Sequence, residues 1–296
     1  MPTTQPRHEP VMPVQVLDYL AVRPDGTYAD VSCGLGGHSR LIAERLTAGG
    51  LLVARDRDEE SLAIARTNLE SPPPAGRIIF DHGTFSTLRA SLDRLGVAML
   101  DGLLADCGVS LYQLTSPERG FSLTRPGPLD MRASRSQELT AADIVNFFSE
   151  REIADIILRY GEERRVGRVA RAIVRSRPIN TTDRLAAVVA EALGGHRSRI
   201  HPATRVFQAL RIAVNRELEE LEDLARAVPL CVRPGGRVVV ITFHSGEDRI
   251  FKRAFQDLAR QGRARPLNKH VVTPDQEETR RNPASQSSKL RAIEIL

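Results

Sequence analysis

Asp101-Gly-Leu-Leu-Ala-Asp106-Cys-Gly-Val-Ser110 is the stretch of sequence that decides the fold. Its apolar run ends on a carboxylate, and because aspartate is disfavoured inside strands, we place Asp106 at the carboxyl end of a strand, where open α/β sheets bind ligands. Residues 111–132 are polar and rich in glycine and proline, unlike a crossover helix. The sheet pattern resumes only near Arg233-Pro-Gly-Gly236. The sequence therefore predicts a nucleotide-binding sheet interrupted by a substrate-recognition insert.

Short apolar runs alternate with helical patterns along the rest of the chain. The predicted strands are 26–31, 51–54, 77–80, 102–105 and 238–243, with helices at 39–46 and 59–69. This alternation is typical of an α/β fold with a doubly wound, mostly parallel, Rossmann-like sheet. Apolar residues at three- and four-residue steps predict one long amphipathic helix over 204–227, ended by Pro229 and Pro234-Gly-Gly236. The polar tail 261–288 is predicted to be a loop before a last strand, 290–296.

The charge distribution supports a division into domains. The chain has 296 residues and a net charge of +5. Residues 110–213 hold 17 arginines against 11 acidic residues, a net charge of +6, so the remainder is nearly neutral. We predict a sheet domain formed by 1–109 and 214–296, and a mainly helical inserted domain, 110–213. The clustered cations favour a polyanionic substrate, because phosphates are neutralised by such clusters.

Composition also excludes several classes of protein. The chain contains no run of about 18 apolar residues, and residues 1–14 lack the apolar core of a signal peptide. We therefore expect a cytoplasmic protein with no membrane partner. Cys33, Cys107 and Cys231 show neither Cys-x-x-Cys spacing nor paired histidines, so no disulfide and no metal site is predicted. Each cysteine is expected to be small buried filler.

A glycine-rich loop, Ser32-Cys-Gly-Leu-Gly-Gly-His-Ser39, follows the first predicted strand. Asp56 comes 20 residues after Gly36, at the end of the second strand. A carboxylate at this position can accept hydrogen bonds from the ribose hydroxyls of a nucleoside. Nicotinamide-dependent enzymes share this arrangement, but here Ser39 replaces their third glycine and Asp30 precedes the loop. Acids beside the loop favour a cationic ligand. We therefore predict S-adenosylmethionine as the cofactor.

Several long motifs occur in order along nearly the whole chain. They are His8-Glu-Pro-Val11, Gly36-Gly-His-Ser39, Asp56-Arg-Asp58, Asp106-Cys-Gly-Val-Ser110, Glu118-Arg-Gly-Phe-Ser122, Gly127-Pro-Leu-Asp-Met-Arg132, Tyr160-Gly-Glu-Glu-Arg164, His201-Pro-Ala-Thr-Arg205 with Phe207-Gln-Ala-Leu-Arg-Ile212, and Phe243-His-Ser245 with Glu247-Asp-Arg249. In these motifs the chain resembles the bacterial 16S ribosomal RNA (cytosine-N4)-methyltransferase family, which modifies a cytosine in the ribosome's decoding region.

The resemblance implies S-adenosylmethionine-dependent N4-methylation, a methyltransferase sheet of the Rossmann-like kind, and 16S rRNA or the small ribosomal subunit as partner. It leaves open whether the protein is a monomer or a homodimer. The cofactor contacts that it implies are Gly36, Gly37, His38, Asp56, Phe85, Asp106 and Gln113. Two of these residues have equally simple alternatives. Phe85 packs either on the adenine or in the core, and His38 donates either to the methionine carboxylate or to a helix cap.

Two residues are candidates for catalysis. Asp106 is the first candidate to accept a hydrogen bond from the cytosine amine, although a role in cofactor binding alone is an open alternative. His244 is the second candidate and would face the acceptor base at the carboxyl edge of the sheet. The alternative there is structural, because Ser245 and Asp248 have the spacing of a helix capping box.

Four arginines of the insert predict an RNA-binding face. Arg164, Arg168, Arg171 and Arg175 are spaced by four, three and four residues, so they share one side of a predicted helix, opposite Val166, Val169, Ala170 and Ile173. A solvated charged face is the alternative. Arginine suits RNA because its planar guanidinium binds phosphate with two hydrogen bonds and stacks on exposed bases.

The chain departs from the family's usual pattern at four positions. Gly246 replaces a leucine, Arg55 replaces an apolar residue before Asp56, and Ala284 and Gln286 replace two arginines of the tail. None of these changes removes a residue assigned to the cofactor.

Two other functions are alternatives. A methyltransferase acting on a protein or small molecule would need no basic insert, and a dinucleotide-dependent oxidoreductase is disfavoured by Ser39 and the stretch 101–132.

Overall fold

The computed structural model describes residues 9–195 and 201–296, so His8 of the first motif lies outside the described residues. The chain divides into two units, one formed by Met1–Gly108 with Leu218–Leu296 and the other by Val109–Glu217. The strands are β1 Thr27–Asp30, β2 Leu51–Asp56, β3 Arg77–His82, β4 Leu100–Asp106, β5 Val232–Thr242, β6 Ala264–Pro266 and β7 Lys289–Ile295.

The helices alternate with these strands in the first unit and form most of the second. In chain order they are α1 Pro13–Leu20, α2 Gly37–Ala43, α3 Glu59–Leu69, α4 Leu88–Arg94, α5 Leu111–Thr115, α6 Ala141–Phe147, α7 Glu150–Gly161, α8 Val166–Arg175, α9 Thr182–Ala192, α10 Thr204–Asn215, α11 Glu217–Cys231, α12 Ser245–Arg260 and α13 Gln276–Arg281. Short 3₁₀ helices lie at Phe85–Thr87, Pro117–Arg119 and Pro283–Ser287.

The described residues of the first unit form a seven-stranded sheet in the order β3-β2-β1-β4-β5-β7-β6. The first five strands pair in parallel, whereas β7 runs antiparallel to both of its neighbours, β5 and β6. The predicted α/β class with a mostly parallel sheet is confirmed. The chain reverses direction along the sheet between β1 and β4, and ligands of doubly wound sheets bind at the strands' carboxyl ends beside such a point.

Alternate residues of the central strands enter two different apolar clusters. On β5, Val238 and Val240 pack in a cluster with apolar residues of α4, α11 and α12. Val239 and Ile241 pack in another cluster with residues of α1 and α2. This follows from the two-residue period of a strand, and it means that both faces of the sheet are covered. Double coverage accounts for the continuous apolar runs of the sequence, since parallel strands are buried on both sides.

The second unit has its own apolar core, to which α6 to α10 contribute. Gly161, the last residue of α7, shows how tightly the helices of this unit pack. A Cβ atom there would lie 2.7 Å from the carbonyl oxygen of Arg205 on α10, so a side chain would force the two helices apart. This contact links two of the sequence motifs, those ending at Arg164 and Arg205, within one packing interface.

The prediction of one long helix over 204–227 is wrong, because the chain forms α10 and α11 with a break at Arg216. Arg216 adopts a left-handed backbone conformation, with φ of 48°. Asn215 fixes the end of α10, since its side chain donates to the carbonyl oxygen of Met131 and accepts from the backbone N–H of Ala133, both at 2.7 Å. These partners are distant in sequence, so the local periodicity contains no sign of the break.

Proline and glycine also act differently from the prediction. Pro229 does not stop the helix, because α11 continues to Cys231, and a proline so near the end removes only one backbone hydrogen bond. Pro234-Gly-Gly236 lies inside β5, where the pairing with β4 shifts between Leu100 and Gly102. The motif is therefore a bulge in a strand. The predicted loop 261–288 contains β6, α13 and a 3₁₀ helix, elements too short to give a clear period.

All three cysteines are buried thiols, as expected of small apolar filler. Within the two described ranges, no helix combines the length and the apolar character needed to cross a membrane.

Candidate functional site

Three neighbouring parallel strands end on aspartates. Asp30, Asp56 and Asp106 are the last residues of β1, β2 and β4, and β1 pairs with both of the other strands. The carboxyl ends of parallel strands lie at one edge of a sheet, so the three side chains meet there. Burial raises the pKa values of all three; the charge of Asp30 adds to the shift of Asp106, and the charge of Asp56 adds to the shift of Asp30. This edge is the candidate site.

Asp30 is completely buried and is held by serines of the glycine-rich loop. It accepts hydrogen bonds from the Ser39 hydroxyl at 2.7 Å and from the Ser32 backbone N–H at 3.2 Å. Burial raises the pKa of Asp30 to about 6, although both serines oppose the shift. Ser39 stands where dinucleotide-binding loops have their third glycine, and the structure gives a reason. Only a side chain with a hydroxyl can satisfy the buried carboxylate at this position.

The glycines shape the loop between β1 and α2. Gly34 and Gly36 have φ angles of 52° and 90°, in the left-handed region that favours glycine. A Cβ on Gly36 would also lie 3.2 Å from Cγ of Leu69 on α3. The loop consequently passes close to α3, and the backbone N–H of Gly34 points to β2, where it donates to the Asp56 carboxylate at 2.7 Å. Gly37 and His38 follow as the first two residues of α2.

Asp56 is held by the backbone on both of its oxygens. Oδ2 accepts from Gly34 N–H, and Oδ1 accepts from Asp58 N–H at 2.8 Å. Burial raises the pKa of Asp56 to about 6 against the effect of these two donors. A carboxylate has about four acceptor positions, so each oxygen keeps one free for a further donor. The position at the end of the second strand and the remaining capacity fit a ribose diol.

Asp106 is the least satisfied of the three carboxylates. Its backbone N–H donates to the Ser32 hydroxyl, and Oδ2 lies 3.6 Å from Nε2 of the buried His38. Oδ1 is buried without a hydrogen-bond partner among the described residues. Burial raises the pKa of Asp106 well above its usual range, and the charges of Asp30 and Glu247 add to the shift. A buried acceptor without a donor is costly in a folded protein and indicates a place where a ligand donates.

His244 lies at the amino end of α12, and both of its ring nitrogens have neighbours there. Nδ1 accepts from the backbone N–H of Gly246 at 3.2 Å, and Nε2 lies 3.2 Å from Oε1 of Glu247. The other oxygen of Glu247 accepts from the backbone N–H groups of Phe243 and His244. The cap is therefore formed by His244 and Glu247, one residue earlier than the predicted pair of Ser245 and Asp248.

Asp248, the second member of that predicted pair, instead receives two hydrogen bonds from Arg291 of β7, at 2.7 and 3.0 Å. Gly108, just after β4, has φ of 118°, and a Cβ there would lie 3.4 Å from the ring of Phe243. This glycine is favoured by its backbone conformation, whereas the ring would only be in van der Waals contact with a Cβ atom. The candidate edge is thus bordered by β4, β5 and the start of α12.

Two of the cofactor contacts implied by sequence lie outside this cluster. Phe85 begins the 3₁₀ helix after β3, and its half-buried ring packs against the larger apolar cluster of the sheet. Packing is therefore at least part of its role. Gln113 belongs to the second unit, where it forms a reciprocal capping box with Ser110 at the start of α5, at 3.1 and 3.2 Å.

The arginine face is only partly helical. Arg168, Arg171 and Arg175 are exposed on α8, whose opposite side buries Val169, Ala170 and Ile173 in the core of the second unit. The prediction that Arg164 shares this helix is wrong, because α8 begins at Val166 and Arg164 lies at a bend before it. Nε of Arg171 lies 3.4 Å from Glu150, so part of its charge is locally neutralised. Arg164, Arg168 and Arg175 have no acidic partner within the described residues.

Sequence reasoning missed several residues of this edge. Ser32 connects β1 with β4, Ser39 satisfies Asp30, and Glu247 is a buried carboxylate whose charge raises the pKa of Asp106. Serine and glutamate in loops and first helical turns are common, so nothing local marks them. The one available signal was Ser39 in place of a glycine.

The sequence of the whole chain was compared with known proteins. The model of the MraW methylase family matches residues 5–296. A ribosomal RNA small subunit methyltransferase H of Solibacter usitatus is 49% identical over 288 residues, which cover 97% of this chain and 99% of the relative. A protein of the same name from Acidobacterium capsulatum is 48% identical over 97% of this chain and 98% of the relative. One from Koribacter versatilis is 47% identical over 96% and 93%.

Proposed function

Because the chain belongs to the MraW methylase family, we propose that it transfers a methyl group from S-adenosylmethionine to the exocyclic N4 of a cytosine in the decoding region of 16S rRNA. The names of the similar proteins support the ribosomal substrate. The proposal depends on two aspartates, Asp56 and Asp106, at the carboxyl edge of the sheet. Asp56 keeps acceptor capacity for a diol, and Asp106 has a buried oxygen without a donor.

The residues of this edge fit the proposed cofactor. When bound, S-adenosylmethionine supplies an electrophilic methyl group on a cationic sulfur. Asp56 would accept the ribose hydroxyls, and the loop at Gly36 and Gly37 would let the backbone approach the ligand closely. A cationic ligand would also offset the negative charge at this edge, where burial raises the pKa values of Asp30, Asp56 and Asp106 and neighbouring carboxylates add to each shift. Phe85, His38 and Gln113 are assigned to the same cofactor by the resemblance alone.

Asp106 has the properties required for the chemistry on the acceptor. The N4 amine of cytosine is a weak nucleophile because its lone pair is delocalised into the ring. A hydrogen bond from N4–H to Oδ1 of Asp106 would localise that lone pair and orient the amine. The bond that N4 gains to the methyl carbon would replace that carbon's bond to sulfur, with S-adenosylhomocysteine released, and Oδ1 of Asp106 would take the proton that N4 loses. A raised pKa makes a carboxylate a better base near neutral pH. His244, whose Nδ1 caps α12 and whose Nε2 lies 3.2 Å from Glu247, is the second candidate and would face the acceptor base at this edge.

The second unit is proposed to bind the RNA. Its net positive charge and the exposed guanidinium groups of Arg164, Arg168 and Arg175 suit phosphates and unstacked bases. Arg171 is the weakest member of the set because Glu150 already pairs with it. The target cytosine must leave its stack to reach the edge of the sheet, at a cost of a few kcal/mol. The partner is 16S rRNA or the small ribosomal subunit, and the proposed compartment is the cytoplasm, where these subunits are assembled.

A labelling experiment tests the proposal. The protein is incubated with tritiated S-adenosylmethionine and, separately, with bare 16S RNA, with small subunits lacking this methylation, and with extract depleted of ribosomes. We expect label in 16S RNA and, after nuclease digestion, N4-methylcytidine. Label at another atom would refute the N4 assignment. Label only in the protein or small-molecule fraction of the extract would instead establish a methyltransferase with a different substrate.

A further inference from the structure

Arg55, on β2 directly before Asp56, carries a buried charge inside a parallel strand. Its side chain is only 1% exposed. Nη1 forms an ion pair with Asp81 of β3, and Nη2 donates to the carbonyl oxygen of Thr84 at 2.8 Å and to the hydroxyl of Thr87. The guanidinium therefore connects two strands with the segment that follows β3. Burial lowers the pKa of Arg55 to about 10, so the group remains charged at neutral pH.

The segment Thr84–Thr87 carries Phe85 and is held from a second side. Glu220 of α11 accepts hydrogen bonds from the backbone N–H and the hydroxyl of Ser86, each at 2.9 Å. Arg55 binds both ends of the segment and Glu220 binds its centre, so the backbone on each side of Phe85 is fixed. Gly83 shows how closely the arginine approaches, since a Cβ there would lie 2.3 Å from Nη2 of Arg55.

Stability alone is a weak reason for such an arrangement. The free energy of removing two charges from water is about as large as the attraction between them in the protein interior. Well-packed apolar residues therefore often stabilise a fold as well as a buried ion pair, or better. What an apolar residue at position 55 cannot do is donate hydrogen bonds to Thr84 and Thr87. The second cation on Asp81, Arg94, is 66% exposed and reaches Asp81 at 2.6 Å without contacting this segment. Arg94 thus only helps to neutralise Asp81, whereas Arg55 also holds the segment Thr84–Thr87.

We propose that Arg55 is a positioning residue for adenine recognition: it fixes the segment Thr84–Thr87 so that the Phe85 ring is presented to the adenine of S-adenosylmethionine. This inference rests on the proposed function, because it requires the adenosyl group to lie at this edge of the sheet. Arg55 needs no contact with the ligand. Its effect passes through the backbone of the segment to the ring of Phe85.

A double-mutant cycle tests the inference with S-adenosylhomocysteine as the probe. Dissociation constants are measured by calorimetry for the wild type, Arg55→Met, Phe85→Ala and the double variant. Methionine keeps the length of the side chain without its donors. We expect Arg55→Met to weaken binding by about threefold to tenfold, the range of an aromatic stacking contact. In the Phe85→Ala background the same change should have almost no effect. The KM for S-adenosylmethionine should rise in Arg55→Met, with kcat at saturation unchanged.

Arg94→Met is the matched control, because it removes a cation from Asp81 without touching the segment, and its affinity should equal that of the wild type. Glu220→Ala releases the segment from its other side without unpairing a buried charge, so it serves if Arg55→Met does not fold, and its effect should also vanish without Phe85. Equal losses from Arg55→Met or Glu220→Ala with and without Phe85, or no loss in either, would overturn the inference. Failure of the wild type to bind S-adenosylhomocysteine would instead refute the proposed function.

Discussion

The pH dependence of cofactor binding follows from the raised pKa of Asp56. The group has a pKa of about 6 in the free protein because burial disfavours its charge. In the proposed role the ionised form would accept hydrogen bonds from the ribose hydroxyls, whereas the protonated form has lost its charge. Binding should therefore be strong above pH 6 and weaken as the pH falls through this value. The perturbation is a pH change, with Asp56→Asn as a variant that cannot ionise at this position.

The magnitude can be worked out from the pKa. At pH 7.5 nearly every Asp56 is ionised, whereas at pH 5 only about one in ten is, so the apparent affinity should fall by about tenfold, or roughly 1.4 kcal/mol. Asp30 also has a pKa of about 6, and its protonation adds to the loss in both proteins. Because the charge of Asp56 contributes to the raised pKa of Asp30, the difference between the two profiles reports Asp56 together with the smaller change that its removal causes at Asp30. At pH 7.5 the Asp56→Asn variant should bind more weakly by about 1 to 3 kcal/mol, the effect of losing a charged hydrogen-bond partner.

Calorimetric titration with S-adenosylhomocysteine between pH 5 and 8 provides the measurement. The protein must stay folded over this range, which circular dichroism at each pH verifies. The two affinities should converge toward pH 5, because the wild-type carboxylate becomes neutral there. Parallel profiles for the two proteins would refute the assignment of Asp56 to the ribose, and a wild-type affinity independent of pH would refute the raised pKa.

Three other expectations follow from the structure. Single-turnover methyl transfer to small subunits is measured at saturating S-adenosylmethionine. Asp106→Asn should lower this rate by about tenfold or more, which corresponds to an activation barrier higher by at least about 1.4 kcal/mol. An unchanged rate with weaker cofactor binding would make Asp106 a cofactor contact only. Arg168→Gln should reduce the salt dependence of RNA binding by about one counterion. Arg171→Gln should reduce it less, because Arg171 already pairs with Glu150. Equal slopes of affinity against salt concentration for the wild type and both variants would show that this face is only solvated surface. Because the folded-state pKa of Asp30 is raised from 3.8 to about 6, its ionisation costs stability as the pH rises through that interval. In urea unfolding, Asp30→Asn should therefore gain roughly 2 kcal/mol relative to the wild type between pH 4 and pH 6.5, and a constant difference between the two would contradict this.

The candidate edge of the sheet could be predicted because its signals are local. An apolar run that ends on an aspartate, as at Asp106, marks the carboxyl end of a strand, and a parallel sheet gathers such ends at one edge. The glycines of the loop are equally readable, since Gly34 and Gly36 adopt backbone conformations that other residues avoid. These features need only the chain's own covalent geometry and its two-residue and 3.6-residue periods. The fold class and the conformation of the glycine-rich loop could therefore be predicted from the sequence.

What the sequence by itself determined was the order of strands and helices, the place of the insert and the aspartates at the strand ends. Only the tertiary structure decided which partners these residues meet. Arg216 breaks a continuous helical pattern where Asn215 binds a loop more than 80 residues away in sequence. From the sequence alone, Arg55 is a charged residue in a strand with no visible partner. In the folded chain, Asp81 and the carbonyl oxygen of Thr84 bind its guanidinium group. Hydrogen bonds between distant residues leave no period in the sequence, because each depends on where the whole chain brings its donors and acceptors.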